Sequence, residues 1–333
     1  MADQSLYDKL AEKILCKGSR IIPRLFQMVA DESEAALLLA LPATPAEAGA
    51  KLLRHPAEVE RSLETLFIKG VVFKSKKPEG TKYRLCRDMA QFHDASILWS
   101  GATREFWDLW QNYMDEEWPA YARLISKVLK KPFTRIIPVE KSVQGRGQIL
   151  AQDDVKRMIE TASRIAVTRC TCRVIAHKCD SPVEICLQIN RAADYTVERG
   201  SGREIGKEEA LRLAREAGER GLIHVTMNKT EVGHFICNCC ACCCQTFPLL
   251  ISEGLPLNDP SRFRSQVDAD LCTACGVCLD RCHFSAITLV KRDGAEVAVV
   301  NPDKCMGCGL CSIKCEPEAI SMIEVRQPSF IPA

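Results

Sequence analysis

The spacing of apolar residues predicts short helices at the start of the chain. Within residues 1–17, Leu6, Leu10 and Ile14 recur at helical spacing. Thr44 has the position of an N-cap, because proline and then a glutamate follow it at the first helical positions. The further helices predicted in this region cover 31–41, 44–54 and 55–70.

A basic β-hairpin is predicted directly after these helices. The segments 71–75 and 81–86 flank the turn sequence KKPEG. Three short helices and a hairpin in this order resemble the winged-helix fold over residues 25–90. Such domains bind DNA or dock proteins, and the helix at 55–70 has more acidic than basic residues, which favours docking. The basic residues of the hairpin that could contact a DNA backbone are Lys74, Lys76, Lys77, Lys82 and Arg84.

Aromatic residues are concentrated in the segment that follows. Residues 92–133 hold all four tryptophans of the chain, which are Trp99, Trp107, Trp110 and Trp118. They form either helix faces buried in a core or a docking surface, since aromatic residues dominate both. Farther along, a helix running into a strand is predicted at 153–170 and again at 207–228. A loop is predicted at 199–210 and a linker at 256–264.

Composition draws attention to the cysteines. The chain has 333 residues and a net charge of +2, so bulk electrostatics gives no argument for nucleic acid. No apolar run is long enough to span a membrane and the N-terminus lacks a secretory signal, so a cytoplasmic protein is expected. Twenty cysteines in a reducing compartment indicate metal ligation rather than disulfides. Oxygen-sensitive iron–sulfur centres would also suit an anaerobic host.

An internal repeat contains the most specific motif. Residues 268–290 align with 301–323, and each half has the spacing C-x2-C-x2-C-x3-C. This resembles the bacterial ferredoxins with two [4Fe–4S] clusters, over residues 266–325. The resemblance implies crossed ligation, in which the fourth cysteine of each motif binds the other cluster. One cluster would be held by Cys272, Cys275, Cys278 and Cys315. The other would be held by Cys305, Cys308, Cys311 and Cys282.

The repeat departs from the ferredoxin pattern in one respect. Proline usually follows the fourth cysteine, whereas His283 follows Cys282 here and Glu316 follows Cys315. Between the two motifs, the segments 286–290 and 296–300 around a DG turn predict a hairpin. Zinc would favour two C-x2-C pairs separated by a long gap, which this spacing does not provide.

A second group of ten cysteines lies in the middle of the chain. Its members are Cys170, Cys172, Cys179, Cys186, Cys237, Cys239, Cys240, Cys242, Cys243 and Cys244. They predict one or two further [4Fe–4S] clusters, with a structural zinc site or uncoordinated core thiols as alternatives. Each cluster is expected to draw on both segments. His224 and His234 are expected to be core or surface residues, and basic groups such as Arg173 would either stabilise reduced clusters or form a solvated face.

The whole chain is therefore predicted to be a multidomain α+β protein. Its parts are a winged-helix-like domain (1–91), an aromatic-rich helical connector (92–140), a cysteine-rich α/β iron–sulfur domain (141–255) and a ferredoxin domain (256–333). The predicted function is a non-catalytic subunit that relays low-potential electrons to or from a flavin- or metal-containing oxidoreductase. The alternatives are an iron–sulfur redox sensor that binds DNA and an oxidoreductase acting at an unusual cluster near Cys237–Cys244.

Overall fold

A computed structural model describes residues 5–78, 80–143, 150, 153–292 and 294–333. Its mixture of helices and strands agrees with the predicted α+β class. The chain forms two compact units. The first contains the chain up to Tyr121 together with 174–176 and 196–202, and the second contains 122–173, 177–195 and 203–333.

The first unit is built from helices and one hairpin. Its helices are α1 (Leu6–Lys13), α2 (Ile22–Val29), α3 (Glu32–Ala40), α4 (Pro45–Leu52), α5 (Pro56–Ile68), α6 (Met89–Ser96), α7 (Arg104–Glu116) and the start of α8 (Trp118–Val128). Strands β1 (Val72–Lys77) and β2 (Gly80–Leu85) pair antiparallel. The predicted helices and hairpin are confirmed, except that Glu79 of the KKPEG turn and residues 1–4 lie outside the described residues. The sequence did not predict α2.

Local sequence explains where these helices begin. Helices α1, α3 and α4 each start with a capping box, formed by Ser5 with Asp8, Asp31 with Glu34, and Thr44 with Glu47. In each box the N-cap side chain accepts from a backbone N–H, and the acidic side chain returns to the N-cap N–H. Both groups would otherwise lack an intrahelical partner.

The aromatic residues of the first unit are mainly core. Phe26 of α2 stacks on Phe92 of α6 with ring centroids 4.4 Å apart. Trp110 is fully buried and meets Phe106 and Tyr113 edge to face. Each such pair contributes about 0.5–1.5 kcal/mol beyond its buried area. The interpretation as buried helix faces is therefore confirmed for these residues.

The second unit is organised around a six-stranded sheet. Its strands are β3 (Thr134–Ile137), β4 (Ile165–Arg169), β5 (Glu184–Ile189), β6 (Gly202–Glu204), β7 (Ile223–Met227) and β8 (Phe235–Cys239), in the spatial order β3-β7-β8-β5-β4-β6. The helices are α9 (Glu140–Val143), α10 (Val155–Thr161), α11 (Thr171–Ala176), α12 (Arg191–Arg199), α13 (Lys207–Glu219) and α14 (Phe247–Glu253). Both predicted helix–strand passages, α10 to β4 and α13 to β7, are confirmed.

The prediction that this middle region is an α/β domain is wrong, because α/β domains have mainly parallel strands and these strands pair antiparallel. The pairs β3–β7, β7–β8, β8–β5 and β5–β4 are all antiparallel. Seven residues join β7 to β8, too few for the crossover helix that parallel neighbours need. The predicted loop at 199–210 also contains strand β6, and the predicted boundary at 141–148 lies partly outside the described residues.

Alternation along the strands gives the sheet two different faces. Ile137, Leu187 and Ile236 point to the face covered by α10 and α13. Ile136, Val225 and Cys237 point to the opposite face, where they meet residues from the C-terminal part of the chain. Because side chains alternate with a period of two, the cysteines of β8 at odd positions share that second face.

The C-terminal part has two small sheets. Strands β10 (Ile287–Arg292) and β11 (Ala295–Val300) form the predicted hairpin, although Asp293 of its DG turn lies outside the described residues. Strand β9 (Phe263–Val267) pairs antiparallel with β12 (Ile320–Glu324). The remaining elements are helix α15 (Val277–Asp280) and short 3-10 turns at Ser312–Lys314 and Pro328–Phe330.

The segment predicted as a linker is a buried part of the second unit. Asn258, Ser261 and Arg262 are at most 3% exposed. Arg262 donates to Asp153 at 2.6 Å and pairs with Glu324 of β12. A buried ion pair fixes the position of the groups that form it, since separating them would leave a charge unpaired. The linker prediction is therefore wrong, because the polar groups of this segment are satisfied by contacts within the protein rather than by solvent.

Within the part of the chain described, no helix has the length and apolarity to cross a membrane.

Candidate metal centres

The two C-terminal cysteine motifs have the same backbone conformation. Residues at equal offsets in the repeat take positive φ: Ala274 with Gly307, Gly276 with Gly309, and Ser285 with Glu318. A side chain at Gly307 would come within 2.1 Å of the Phe263 carbonyl oxygen. Only glycine fits there, so the loop lies directly against β9. The internal repeat is thus also a repeat in structure.

The structure brings the first predicted quartet together. Cys272, Cys275, Cys278 and Cys315 line one cavity. The backbone N–H of Ala298 donates to the Cys272 sulfur at 3.4 Å. Cys275 is exposed, and the neighbouring Leu271 and Val277 are 50% and 41% exposed. This cavity therefore lies at the surface.

The second predicted quartet lines a separate cavity, formed by Cys282, Cys305, Cys308 and Cys311 among others. The Ala286 N–H donates to Cys282 at 3.3 Å, and the Ser265 hydroxyl lies 3.1 Å from the Cys311 sulfur. Burial raises the pKa of the Cys311 thiol to about 12, although the Ser265 contact acts in the opposite direction. A thiol in such surroundings becomes a ligand only when a cation stabilises its thiolate.

The departure from the ferredoxin pattern has a structural explanation. His283, which stands where proline is usual, has its Nε2 2.7 Å from the carbonyl oxygen of Gly221, just before β7. Nearby, Arg281 donates to the carbonyl oxygens of Gly218 and Glu219 at the end of α13. Proline has no side-chain donor for such a contact. These residues attach the end of the first motif, at Cys282, to the end of α13 and to the segment just before β7.

The second cysteine field packs against the second motif. Cys237, Cys239 and Cys244 belong to the same apolar cluster as Cys308. Val139, just beyond β3, donates its N–H to the Cys308 carbonyl oxygen at 3.0 Å. The two cysteine fields thus share one core.

Six of the middle cysteines form a row. Cys186 of β5 lies beside Cys237 of β8 in the strand register, and their thiols are in contact. Cys170 extends the row at one end, where it contacts Cys172 and Cys186. At the other end Cys239 contacts both Cys237 and Cys244. The hydrogen bond from Cys239 lowers the pKa of Cys244 to about 6, with backbone and hydroxyl donors from Thr246 in support.

The other four middle cysteines form a compact quartet. The sulfurs of Cys179, Cys240, Cys242 and Cys243 all lie within 4.8 Å of one another. Cys179 is 3.7 Å from Cys240 and 3.8 Å from Cys243, and Cys242 is 3.7 Å from Cys243. Cys179 comes from the loop before β5 and the others from the turn after β8, two ends that antiparallel pairing places side by side.

A buried arginine lies between the row and the quartet. Arg173 is 2% exposed and donates to the carbonyl oxygens of Pro182 and Asn238. Burial acts to lower its pKa, but the nearby sulfurs of Cys170, Cys240 and Cys186 outweigh that effect and raise it. A buried guanidinium beside thiols favours their anionic form. Two other basic residues of this region, Arg164 and Arg203, instead pair with surface carboxylates.

The two histidines near the second run have ordinary surroundings. His224 is buried and its Nδ1 lies 2.6 Å from Asn238, while burial lowers its pKa to about 4. His234 is exposed.

In the first unit, the basic hairpin is partly neutralised, since Lys74 pairs with Glu64 and Glu198.

Comparison with known proteins bears on the C-terminal region. A family model described as a 4Fe-4S dicluster domain matches residues 271–319. No curated protein and no solved structure matches the chain. The C-terminal region is therefore a ferredoxin-like iron–sulfur domain, and the family together with the cysteines supports [4Fe–4S] clusters.

Sequence reasoning named all of these cysteines but missed the residues that organise them. Arg281 and Asn238 were not singled out, and Arg173 was one basic residue among several. An asparagine flanked by cysteines on a strand, as in CNC at 237–239, could have indicated a buried polar contact between two ligands.

Proposed function

We propose that this iron–sulfur protein relays low-potential electrons between its own centres and a partner oxidoreductase that contains a flavin or a metal. The C-terminal quartets would each hold one [4Fe–4S] cluster with crossed ligation. The middle field would supply at least one further centre. The observation that carries the proposal is the shared apolar core of Cys308 with Cys237, Cys239 and Cys244.

Burial gives the relay a direction. The first C-terminal cavity opens at Cys275, where Leu271 and Val277 are also exposed. The second cavity lies inward, since Cys305 and Cys311 are buried and Cys308 packs on the sheet. A partner protein could reach the first cluster but not the second. Electrons would therefore exchange with the partner at the surface cluster and pass through the inner one to the middle field.

The chemistry required of this chain is modest. The clusters supply one-electron redox chemistry when bound, and the protein sets their surroundings. The hydrogen bonds from Ala298, Ala286 and Ser265 to cysteine sulfurs stabilise negative charge on each cluster. Arg173 does the same for the middle field.

The proposal is tested on full-length protein purified without oxygen. Iron and acid-labile sulfide are counted, and the reduced protein is examined by EPR. A relay predicts magnetic interaction between reduced centres and fast electron delivery to an added one-electron acceptor such as methyl viologen. Reduced clusters that are magnetically isolated and transfer no electrons would contradict it.

A second arm addresses the sensor alternative. Oxidised and reduced protein are compared in gel-shift assays on random-sequence DNA and on fragments of genomic DNA. The relay predicts no redox-dependent retardation, because Lys74 of the hairpin is already paired with carboxylates. Retardation that depends on the redox state would favour a regulator over a relay.

A further inference from the structure

We propose that Cys179, Cys240, Cys242 and Cys243 bind one metal ion, Zn²⁺ or Fe²⁺, as a tetrahedral tetrathiolate site rather than a [4Fe–4S] cluster. This inference is independent of the proposed relay, because it concerns a centre that the C-terminal ferredoxin domain does not contain. It rests on the distances between the sulfurs and on where the chain places them.

The sulfur–sulfur distances fit a single ion. Four sulfurs bonded to one ion at about 2.3 Å lie at the corners of a tetrahedron with edges of roughly 3.8 Å. Three of the sulfur–sulfur separations are 3.7 Å, 3.8 Å and 3.7 Å, and all of them are within 4.8 Å. In a cubane each thiolate binds a different iron, so the ligands must stand farther apart by about the separation of two irons.

The C-terminal quartets provide an internal comparison. Their cysteines line two separate pockets, and among the described residues neither set has all four sulfurs within 4.8 Å of one another. Across the described residues, the middle quartet is the one group of cysteine, histidine or acidic side chains whose ligand atoms are so close together. The same chain thus has two kinds of cysteine site, one with four sulfurs close together and one with its sulfurs farther apart.

The surroundings suit bound thiolates. The backbone and hydroxyl of Ser181 donate to Cys179, and the backbone N–H of Lys178 donates to Cys243. Arg173 supplies a buried positive charge next to Cys240. Four thiolates around a divalent ion have a net charge of −2, which this guanidinium and the N–H donors offset.

Strand geometry explains why this set separates from the other six cysteines. Cys237 and Cys239 share one face of β8, whereas Cys240 follows on the other side and leads into the turn with Cys242 and Cys243. A site with four protein ligands has no open coordination position, as in structural metal sites. The ion would tie the loop before β5 to the turn after β8 and would not act on a substrate.

The test compares two exposed cysteines, one from each kind of site. Cys242→Ala and Cys275→Ala are made in the full chain and purified without oxygen beside the wild type, and zinc, iron and sulfide are measured. Cys242→Ala should lose about one metal ion per chain with sulfide unchanged. Cys275→Ala should lose iron and sulfide together, in roughly equal amounts of up to about four.

The wild type gives a readout that does not depend on a variant folding. A zinc K-edge absorption spectrum with about four sulfurs near 2.3 Å identifies zinc, and a single-iron doublet in the Mössbauer spectrum of protein enriched in isotopic iron identifies iron. Loss of iron and sulfide in equal number from Cys242→Ala would overturn the proposal in favour of a cluster. So would wild-type protein with neither signature. If Cys275→Ala alone left the sulfide content unchanged, the relay proposal would fail and this one would stand.

Discussion

Replacing Arg281 with alanine should loosen the attachment of the ferredoxin domain to the sheet. The guanidinium donates to the carbonyl oxygens of Glu219 at 2.9 Å and Gly218 at 2.7 Å, with a longer contact to Leu310 at 3.3 Å. The first two residues end α13, where the helix dipole favours a cation; the Gly218 carbonyl oxygen also accepts from the Gly221 N–H. Arg281 therefore caps a helix and joins two elements of the second unit at once.

The expected size of the effect follows from those contacts. A hydrogen bond that involves a charged group contributes about 1.5–3 kcal/mol, and the partly exposed position of Arg281 argues for the lower end. The two short contacts together give about 3 kcal/mol, which corresponds to a roughly 100-fold change in a local opening equilibrium. Arg281→Lys keeps the charge but loses the planar fork, so we expect an intermediate effect.

Amide hydrogen exchange followed by mass spectrometry on the holoprotein measures this opening directly. The informative amides are those of Gly221, Leu222 and Val139, which lie where the two parts meet. Arg212→Ala is the matched control, since Arg212 lies on the same helix and makes only exposed ion pairs that contribute less than about 1 kcal/mol. If the amides of Arg281→Ala exchanged at the wild-type rate, as those of the control Arg212→Ala should, the attachment would not depend on Arg281.

Four further predictions follow from particular contacts. Cys315→Ser should remove the cluster near Cys272 while leaving the other intact, and EPR of the reduced variant would contradict crossed ligation if the inner cluster were lost instead. In a potentiometric titration the inner cluster should have a lower reduction potential than the surface cluster, because the added electron's charge is less favourable in a buried site. Equal reduction potentials for the two clusters would contradict this effect of burial. Burial lowers the pKa of His224 to about 4, against about 6.5 when unfolded, so stability should decline by roughly 3 kcal/mol as pH falls from 6.5 to 4. His224→Gln should flatten that part of the thermal stability profile, and an unchanged profile would show that other groups cause it. Burial raises the pKa of Cys16 to about 12, so iodoacetamide should leave it unlabelled in native protein and label it after unfolding, as peptide mapping would show.

Local signals in the sequence were sufficient for the elements and for the repeat. Helices with capping boxes, such as α3 and α4, could be located because the cap and the helix lie within a few residues. The four-cysteine motifs could be assigned to two sites because they resemble those of the two-cluster ferredoxins, whose crossed ligation the assignment follows. Helix α2 was missed because its N-cap residue, Ile21, makes no side-chain capping hydrogen bond and so gives no capping motif in the sequence.

Features that depend on strand pairing could not be predicted. The partition of ten middle cysteines into a row and a quartet follows from the register that sets Cys186 beside Cys237, and no local pattern encodes that register. The burial of Arg262 could not be predicted either. Its polar segment resembles a linker in sequence, and the partner that satisfies it, Asp153, is far away along the chain. Antiparallel pairing of β7 with β8 also depends on which strands meet, although the short connection between them was visible in the sequence.

The three cysteine sites differ in a way that suits different tasks. Under the proposed relay, a cluster in the surface cavity at Cys275 would exchange electrons with a partner. The inner cavity at Cys308 contacts the row of thiols through an apolar core. The compact quartet lies beyond the row, at the ends of β5 and β8, and its single ion would hold those ends in place. A fixed quartet would in turn keep Cys237 and Cys239 in register with their neighbours. The proposed ion would then preserve the proposed electron path without being part of it.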